Sequence, residues 1–142
     1  MQLLLVEDNA GDERLLREAV RGFIEQGTLQ VSAATDGGQA LAFLRREAPY
    51  SEAAPPDMVI LDLNLPVKSG YEVLEEVKQD PKLKYLPVVV FTTTADPQEV
   101  SRCYELGASA YLVKPSELEQ YLDVVKLTVV FWSACKFRTL KD

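Results

Sequence analysis

Residues 58–66 read Met-Val-Ile-Leu-Asp-Leu-Asn-Leu-Pro, and they place an unbroken apolar run directly before an aspartate. The run 58–61 is too short for a helix and too continuously apolar for a strand with one solvated face, which is typical of a strand buried in a parallel sheet. Asp62 follows that strand directly. Because ligands bind at the carboxyl ends of strands in open parallel sheets, Asp62 is predicted to border a functional crevice.

Two other apolar runs lead into charged residues in the same way. Residues 3–6 precede Glu7 and Asp8, and residues 111–113 precede Lys114. If these strands are parallel, their ends share one edge, and the carboxylates there need a counter-charge. Magnesium fits that role, since it takes oxygen ligands and keeps positions open for a phosphate oxygen.

Two further groups at this edge suit a phosphoryl ligand. Lys114 offers a point charge on a flexible stem, and Thr92 offers a hydroxyl donor directly after the apolar run 88–91. Each residue alone also fits an ordinary role, as a solvated lysine or as a threonine bonded to local backbone. Their convergence favours a cation and phosphoryl site.

The alternation of short apolar runs with helical periodicity predicts a doubly wound α/β fold with helices on both faces of a parallel sheet. The predicted strands are residues 3–6, 31–34, 58–61, 88–91 and 111–113. Apolar residues at helical spacing from Leu15 to Ile24 predict one first helix over that stretch.

Composition limits the class of protein. A chain of 142 residues with 47% hydrophobic content is predicted to form a single domain, 1–142, with no further domain after it. Its net charge of −7 argues against nucleic-acid binding. No signal peptide or membrane-length apolar run is present, so no membrane contact and a cytoplasmic location are expected. Cys103 and Cys135 are expected to be reduced thiols, and zinc is disfavoured because the chain has no histidine.

The spacing of these charged and hydroxyl residues resembles the receiver domain of two-component response regulators, over residues 3 to about 126. Asp62 and Thr92 are 30 residues apart, and Thr92 and Lys114 are 22 apart, as in that family. The matching residues are Glu7-Asp8, Asp62-Leu63-Asn64-Leu65-Pro66, Gly70, Thr92 and Lys114-Pro115. The resemblance implies a flavodoxin-like (βα)5 fold with a five-stranded parallel sheet in the order 2-1-3-4-5.

The resemblance also implies a Mg²⁺ site. Glu7 and Asp8 resemble the family's acidic pair, in which Asp8 binds the metal directly and Glu7 acts through water. Asp62 and the backbone carbonyl of Asn64 are the other implied protein ligands. Asn64 also occupies a position that in the family flanks the path of the attacking water.

The remaining implied roles concern the phosphoryl group. Asp62 is the implied phosphoacceptor, Lys114 the ion-pairing lysine and Thr92 the switch hydroxyl. Tyr111 resembles the switch aromatic that turns inward on activation, and Thr94 occupies a second position that tunes the lifetime of the phosphorylated state. The implied output is a change in the face formed by the fourth helix, the fifth strand and the fifth helix. Apart from its own phosphorylation and dephosphorylation, such a protein is not expected to be an enzyme.

Several short stretches of the sequence resemble those of the small regulators that serve bacterial phytochrome histidine kinases. The run Thr92-Thr93-Thr94 with Ala95-Asp96-Pro97, and the pair Phe131-Trp132, are typical of that subgroup. A sensor histidine kinase of phytochrome type is therefore the implied partner. The loop 48–56 is enlarged relative to the family's pattern, so kinase contacts do not transfer directly.

The last helix has two apolar rows, and an extended C-terminal helix and tail are expected over about 127–142. The first row, predicted to pack on the sheet, is Leu118, Leu122, Val125, Val129 and Trp132. The second row is Tyr121, Val124, Thr128, Phe131 and Cys135. Unless a loop or the tail covers it, the second row predicts a homodimer built on Tyr121, Val124, Thr128, Phe131 and Trp132, with neighbouring parts of the fourth helix and the fifth strand. Ser116 and Glu119 have the spacing of a capping box for this helix.

Three alternatives compete with a phosphorylated regulator. A phosphate-independent, protein-binding receiver module would not need the complete set of site residues. An aspartyl-phosphate hydrolase resembles Asp-x-Asp after its first strand, whereas Asp62 follows the third and Asn64 replaces the second acid. A flavodoxin-like electron carrier would bind a flavin phosphate at the first strand end, where Glu7 and Asp8 would repel it.

Overall fold

Five parallel strands form one sheet in the order β2-β1-β3-β4-β5 in the computed structural model, which describes residues 1–138. The strands are β1 (Gln2–Val6), β2 (Gln30–Ala34), β3 (Met58–Leu61), β4 (Val88–Thr92) and β5 (Ala110–Val113). This order confirms the predicted flavodoxin-like fold. The two edge strands, β2 and β5, are less buried than the three central ones.

Helices cover both faces of the sheet. They are α1 (Ala10–Ala19), α2 (Arg21–Glu25), α3 (Gly37–Leu44), α4 (Gly70–Gln79), α5 (Pro97–Glu105) and α6 (Leu118–Ser133). None of the helices within residues 1–138 is long and apolar enough to cross a membrane. Cys103 and Cys135 are free thiols, as predicted.

Alternate residues of the strands feed two separate apolar clusters. Leu3 and Leu5 pack with α1 and α6 on one face, and Leu4 and Val6 pack with α3, α4 and Cys103 of α5 on the other. Each fully buried side chain of this size contributes about 1.5–3 kcal/mol to folding. The central strands are therefore fixed from both sides, and the residues that follow them are held in place.

The first predicted helix is divided. Val20, with φ −112° and ψ 12°, separates α1 from α2, so the prediction of one continuous helix is wrong at this point. The change of direction keeps Val20 buried and still lets Phe23 and Ile24 pack on the same cluster. Packing on the sheet has therefore overridden helical periodicity here.

Helix α6 packs on the sheet partly as predicted, since Val125 and Val129 of the first row are buried and Trp132 packs against the same cluster, but two other residues differ from the prediction. Tyr121 is 5% exposed, and its ring lies 5.2 Å from the ring of Phe91, centroid to centroid. Tyr121 therefore belongs to the core and cannot form part of a dimer interface. Leu118, predicted to pack on the sheet, is exposed instead. The predicted capping box is also wrong, because Glu117 is the N-cap and no side chain caps this helix.

The other predicted interface residues are at the margin of that core. Val124 and Trp132 pack partly against the α1–α6 cluster, and the half-buried Thr128 donates its hydroxyl to the carbonyl of Val124 at 2.7 Å. Phe131 is 62% exposed. The exposed side chains of Leu127, Val130 and Phe131 form one surface of the helix, which we term the α6 apolar row.

Candidate functional site

The strand ends bring the predicted charged residues together. Val6 of β1 pairs with Leu61 of β3, so Glu7 and Asp62 emerge side by side. The amide of Asp62 donates to the carbonyl of Val6 at 3.0 Å, which extends this pairing by one residue. On the other side of β3, the parallel strand β4 delivers Thr92 to the same edge.

Lys114 is the electrostatic centre of the site. Its ammonium Nζ lies 2.5 Å from Glu7 Oε1, 2.9 Å from Asp12 Oδ2 and 3.2 Å from Asp62 Oδ2. Its backbone amide donates to the carbonyl of Thr92 at 2.6 Å, which fixes the start of the side chain at the sheet edge. The three donors of the ammonium therefore each meet a carboxylate.

Asp12 is a member of this group that the sequence analysis missed. It lies in the first turn of α1, where an acid is ordinarily explained by the helix dipole. The Asn9 side chain caps that helix by accepting from the amide of Asp12 at 3.0 Å. The sequence offers no signal that singles it out, because its partner Lys114 lies 102 positions further along the chain.

Burial and mutual charge shift the acid–base properties of these groups. Burial raises the pKa of Glu7 to about 8, and the neighbouring Asp62 adds to that rise. Burial also tends to raise the pKa of Asp62, but the neighbouring Glu7 carboxyl and the charge of Lys114 lower it overall. For Lys114, burial tends to lower the pKa, whereas hydrogen bonds to Glu7 and Asp12 raise it overall. The site therefore keeps Asp62 ionised and Lys114 charged.

Three carboxylates form a pocket that fits a hard cation. One ligand oxygen from each of Glu7, Asp8 and Asp62 lies within 4.8 Å of the others. Glu7 Oε2 is buried and has no hydrogen-bond partner among the described residues, so it has an oxygen to offer. An all-oxygen set of this kind is what Mg²⁺ prefers. The use of the Asn64 backbone carbonyl as a further ligand stays a prediction.

The loop after β3 holds the Asp62 carboxylate in one orientation. The amides of Leu63 and Asn64 donate to Asp62 Oδ1 at 2.7 and 3.4 Å. The loop can fold this closely because Gly70 begins α4, where a Cβ atom would lie 2.3 Å from the carbonyl oxygen of Asp62. Asp62 Oδ1 is thus fixed by backbone, and Oδ2 faces Lys114.

Thr92 offers a free hydroxyl at the same edge. The residue is fully buried, and its Oγ1 has no hydrogen-bond partner in the part of the chain that the structure describes. Thr93 is exposed, and the hydroxyl of Thr94 donates to Glu99 at 2.7 Å. Of the three consecutive threonines, Thr92 is therefore the one with an available buried donor. Its role as the switch hydroxyl stays a prediction.

Tyr111 of β5 points toward the loop that follows β4. Its hydroxyl donates to the carbonyl of Thr94 at 2.8 Å, and burial raises the pKa of that hydroxyl to about 12. Glu99 then connects this loop to α4, because its carboxylate accepts from Tyr71 at 2.9 Å as well as from Thr94. Neither Tyr71 nor Glu99 was predicted, since nothing in their local sequence distinguishes them from ordinary helix residues.

Comparison with known proteins gives a consistent result. The family model of the response regulator receiver domain matches residues 3–126. The response regulator Rcp1 of Synechocystis sp. is 40% identical over 130 residues, which cover 92% of this chain and 87% of that protein.

Solved structures agree over almost the whole chain. The phosphorylated cyanobacterial phytochrome response regulator RcpA is 39% identical with a TM-score of 0.91, covering 97% of this chain and 98% of that one. The Mn²⁺-bound form of Rcp1 is 37% identical with a TM-score of 0.88, covering 97% and 99%. The predicted family resemblance is confirmed, and these relatives are named as response regulators rather than as enzymes.

Proposed function

The chain belongs to the response regulator receiver domain family, and we propose that it accepts a phosphoryl group from a histidine kinase on Asp62 with Mg²⁺ bound beside it. The observation that carries the proposal is the convergence of the Lys114 ammonium and a three-carboxylate pocket on the Asp62 side chain. The relatives support it, since one was solved in a phosphorylated form and another with Mn²⁺.

The chemistry is a transfer from phosphohistidine to carboxylate. An oxygen of Asp62 forms a bond to phosphorus while the bond from phosphorus to the donor's imidazole nitrogen breaks, and the electron pair stays on that nitrogen. A carboxylate is a weak nucleophile, so alignment and charge neutralisation supply most of the catalysis. Bound Mg²⁺ would neutralise charge on the transferring oxygens.

Residues of the chain itself supply the remaining alignment and charge neutralisation. The backbone amides of Leu63 and Asn64 fix the plane of the nucleophile, so little rotational freedom is lost on reaction. Lys114 lies 3.2 Å from Asp62 Oδ2 and can donate to a phosphoryl oxygen there. Thr92 can donate its unpartnered hydroxyl to another. Water later attacks phosphorus and releases inorganic phosphate, which regenerates the Asp62 carboxylate.

The same groups would report phosphorylation to the surface. A change at Thr92 moves the start of the β4–α5 loop, and the carbonyl of Thr94 in that loop holds Tyr111. We propose that the output surface is the face formed by α5, β5 and α6. These are the fourth helix, fifth strand and fifth helix of the prediction, because the first predicted helix is divided into α1 and α2. A ligand shifts such an equilibrium only through contacts that differ between the two states, and Thr92 and Lys114 supply those contacts.

We propose a phytochrome-type histidine kinase as the partner, because relatives aligned over nearly the whole chain are phytochrome response regulators. The net charge of −7 supports a protein partner over nucleic acid. A cytoplasmic location stays a prediction. The alternative of a phosphate-independent binding module is not favoured, since every residue of the phosphoryl site is present.

We further propose that the protein forms a homodimer through the α6 apolar row. The half-buried Val124, Thr128 and Trp132 would contribute at its margin. Tyr121 no longer belongs to this proposal because it is buried within the chain.

The phosphoacceptor assignment is tested by mass spectrometry of intact protein after incubation with acetyl phosphate and Mg²⁺. We expect one added phosphoryl group per wild-type chain and none in Asp62→Asn. Asp57→Asn is the matched control, since Asp57 precedes the opposite end of the same strand and its carboxylate accepts from the amide of Gln2 at 2.7 Å. Equal labelling of wild type and Asp62→Asn would overturn the assignment.

A further inference from the structure

Asp12 contacts the one cation of the site without belonging to the metal pocket. Its Oδ2 lies 2.9 Å from Lys114 Nζ, whereas the carboxylates grouped for a metal among residues 1–138 are Glu7, Asp8 and Asp62. Capping of α1 by Asn9 fixes its backbone. The hydroxyl of Tyr121, at 3.5 Å from the carbonyl of Asp12, connects this turn to α6.

The surroundings of Asp12 differ from those of the other two carboxylates on Lys114. Glu7 and Asp62 are buried, whereas the side chain of Asp12 is 27% exposed. Asp12 and Lys114 both line an open cleft of about 450 Å³ between α1 and the start of α6. A cleft of this size admits a small phosphodonor. Asp12 therefore contacts the ammonium at the solvent-exposed margin of the site.

The ammonium has no spare donor for an incoming group. Its three N–H bonds already meet Glu7, Asp12 and Asp62. A phosphoryl oxygen must share or displace one of them. Asp12 is the partly solvated one, so its bond is the least costly to exchange with solvent, and its negative charge also opposes the approach of another anion.

We propose that Asp12 is a positioning residue that holds the Lys114 ammonium and competes with phosphoryl oxygens for it, so that its charge weakens the uptake of a phosphoryl group. This inference rests on the proposed function of Asp62. It concerns the strength with which the site takes phosphoryl anions, and Asp12 itself takes no part in bond making or breaking.

The matched control is the next residue of the same helical turn. Glu13 is 28% exposed against 27% for Asp12, carries the same charge, and pairs with Arg17 at 3.0 Å instead of with Lys114. Asp12→Asn and Glu13→Gln therefore remove equal charge from neighbouring, equally exposed positions. Only Asp12→Asn removes a charge that contacts Lys114. Both replacements are isosteric.

Two measurements at saturating Mg²⁺ test the proposal. One is the second-order rate constant for labelling by acetyl phosphate, and the other is the affinity for beryllofluoride, an anionic mimic of the phosphoryl group, followed by ¹⁹F NMR. We expect Asp12→Asn to raise both by about threefold to tenfold, the size of effect that one charge at contact distance produces in a water-like dielectric, which suits a partly exposed carboxylate. Glu13→Gln should leave both unchanged.

Salt distinguishes an electrostatic role from a structural one. Because Asp12 is partly exposed, the difference between wild type and Asp12→Asn should narrow as KCl is raised. An Asp12→Asn protein that is labelled at the wild-type rate or more slowly, or an equal gain in Glu13→Gln, would overturn the proposal. A wild type that takes up no phosphoryl group would contradict the proposed function of Asp62. A wild type that is labelled, with Asp12→Asn labelled at the same rate, would contradict only the role of Asp12.

Discussion

Two buried oxygens characterise the site at the scale of single residues. Glu7 Oε2 and Thr92 Oγ1 have no hydrogen-bond partner within residues 1–138. A buried polar group left without a partner costs about 1–3 kcal/mol. Both atoms face the edge where a cation and a phosphoryl group are proposed to bind. These two unpaired atoms therefore lower the stability of the ligand-free protein, and a bound cation and phosphoryl group would supply the missing partners.

This cost leads to a prediction for Thr92→Val, which replaces the unpartnered hydroxyl with a methyl group of the same shape. We expect the free energy of unfolding to rise by about 1 kcal/mol, because the orphan group is gone. We also expect the spectral change that accompanies phosphorylation to be lost, although Asp62 is still labelled. Urea unfolding and NMR with acetyl phosphate measure the two effects.

Thr28→Val is the control, since the hydroxyl of Thr28 donates to the carbonyl of Phe23 at 3.1 Å and its loss should not stabilise the protein. If Thr92→Val retains the full phosphorylation-dependent spectral change, Thr92 is not the switch hydroxyl.

At the scale of helices and strands, the junction of the Asp62 loop with α4 depends on the absence of one side chain. A Cβ atom on Gly70 would lie 2.3 Å from the carbonyl oxygen of Asp62 and 2.6 Å from the Cα of Leu63. Both contacts are with backbone, which cannot rotate away. The first turn of α4 and the loop that orients Asp62 can therefore pack together only with glycine at this position.

We predict that Gly70→Ala lowers the free energy of unfolding by about 2 kcal/mol or more, because the backbone must shift to relieve the overlap. Labelling of Asp62 should slow as well, since the amides that orient its carboxylate move with the loop. Thermal unfolding and the rate of labelling by acetyl phosphate provide the measurements.

Gly22→Ala in α2 is the matched control, because a Cβ there meets no atom within 4 Å. It should leave labelling unchanged and raise stability by about 0.5–1 kcal/mol through helix propensity. Equal stability of Gly70→Ala and wild type would show that the loop accommodates a side chain.

The strand ends were predictable from sequence, whereas the contacts between helices were not. Asp62 and Lys114 stand out because each follows a short apolar run, and parallel topology sends such ends to one edge. Asp12 and Glu99 lie on helices with mixed composition, where an acid is ordinary and its partner depends on helix packing. The burial of Tyr121 was mispredicted because both rows of α6 are apolar. Periodicity alone therefore did not determine how α6 is rotated about the helix axis.

At the scale of the whole molecule, the α6 apolar row is an apolar surface that the fold leaves uncovered within the described chain. Leu127 is 69% exposed and Phe131 62%. Burying such side chains stabilises an assembly by roughly 25 cal/mol per Å² of apolar surface. A symmetric pair is the commonest way to do so.

We therefore predict that the wild type sediments as a dimer at tens of micromolar and that Phe131→Asp sediments as a monomer with Asp62 labelling unchanged. Leu118→Asp is the control, since Leu118 is also exposed on α6 but lies outside the row. It should leave the dimer intact. A wild type that sediments as a monomer, with or without phosphorylation, would contradict the proposed pairing.

The way Lys114 reaches its partners also has a consequence for biosynthesis. Its ammonium meets residues that precede it by 107, 102 and 52 positions along the chain. A ribosome therefore exposes Asp62 and the acids around it well before it makes the lysine that neutralises them. Until β5 docks beside β4, Glu7, Asp12 and Asp62 lack the ammonium that compensates their charge, and uncompensated carboxylates repel an incoming anion. If Asp62 accepts a phosphoryl group as proposed, chains that lack β5 are therefore expected to take up none.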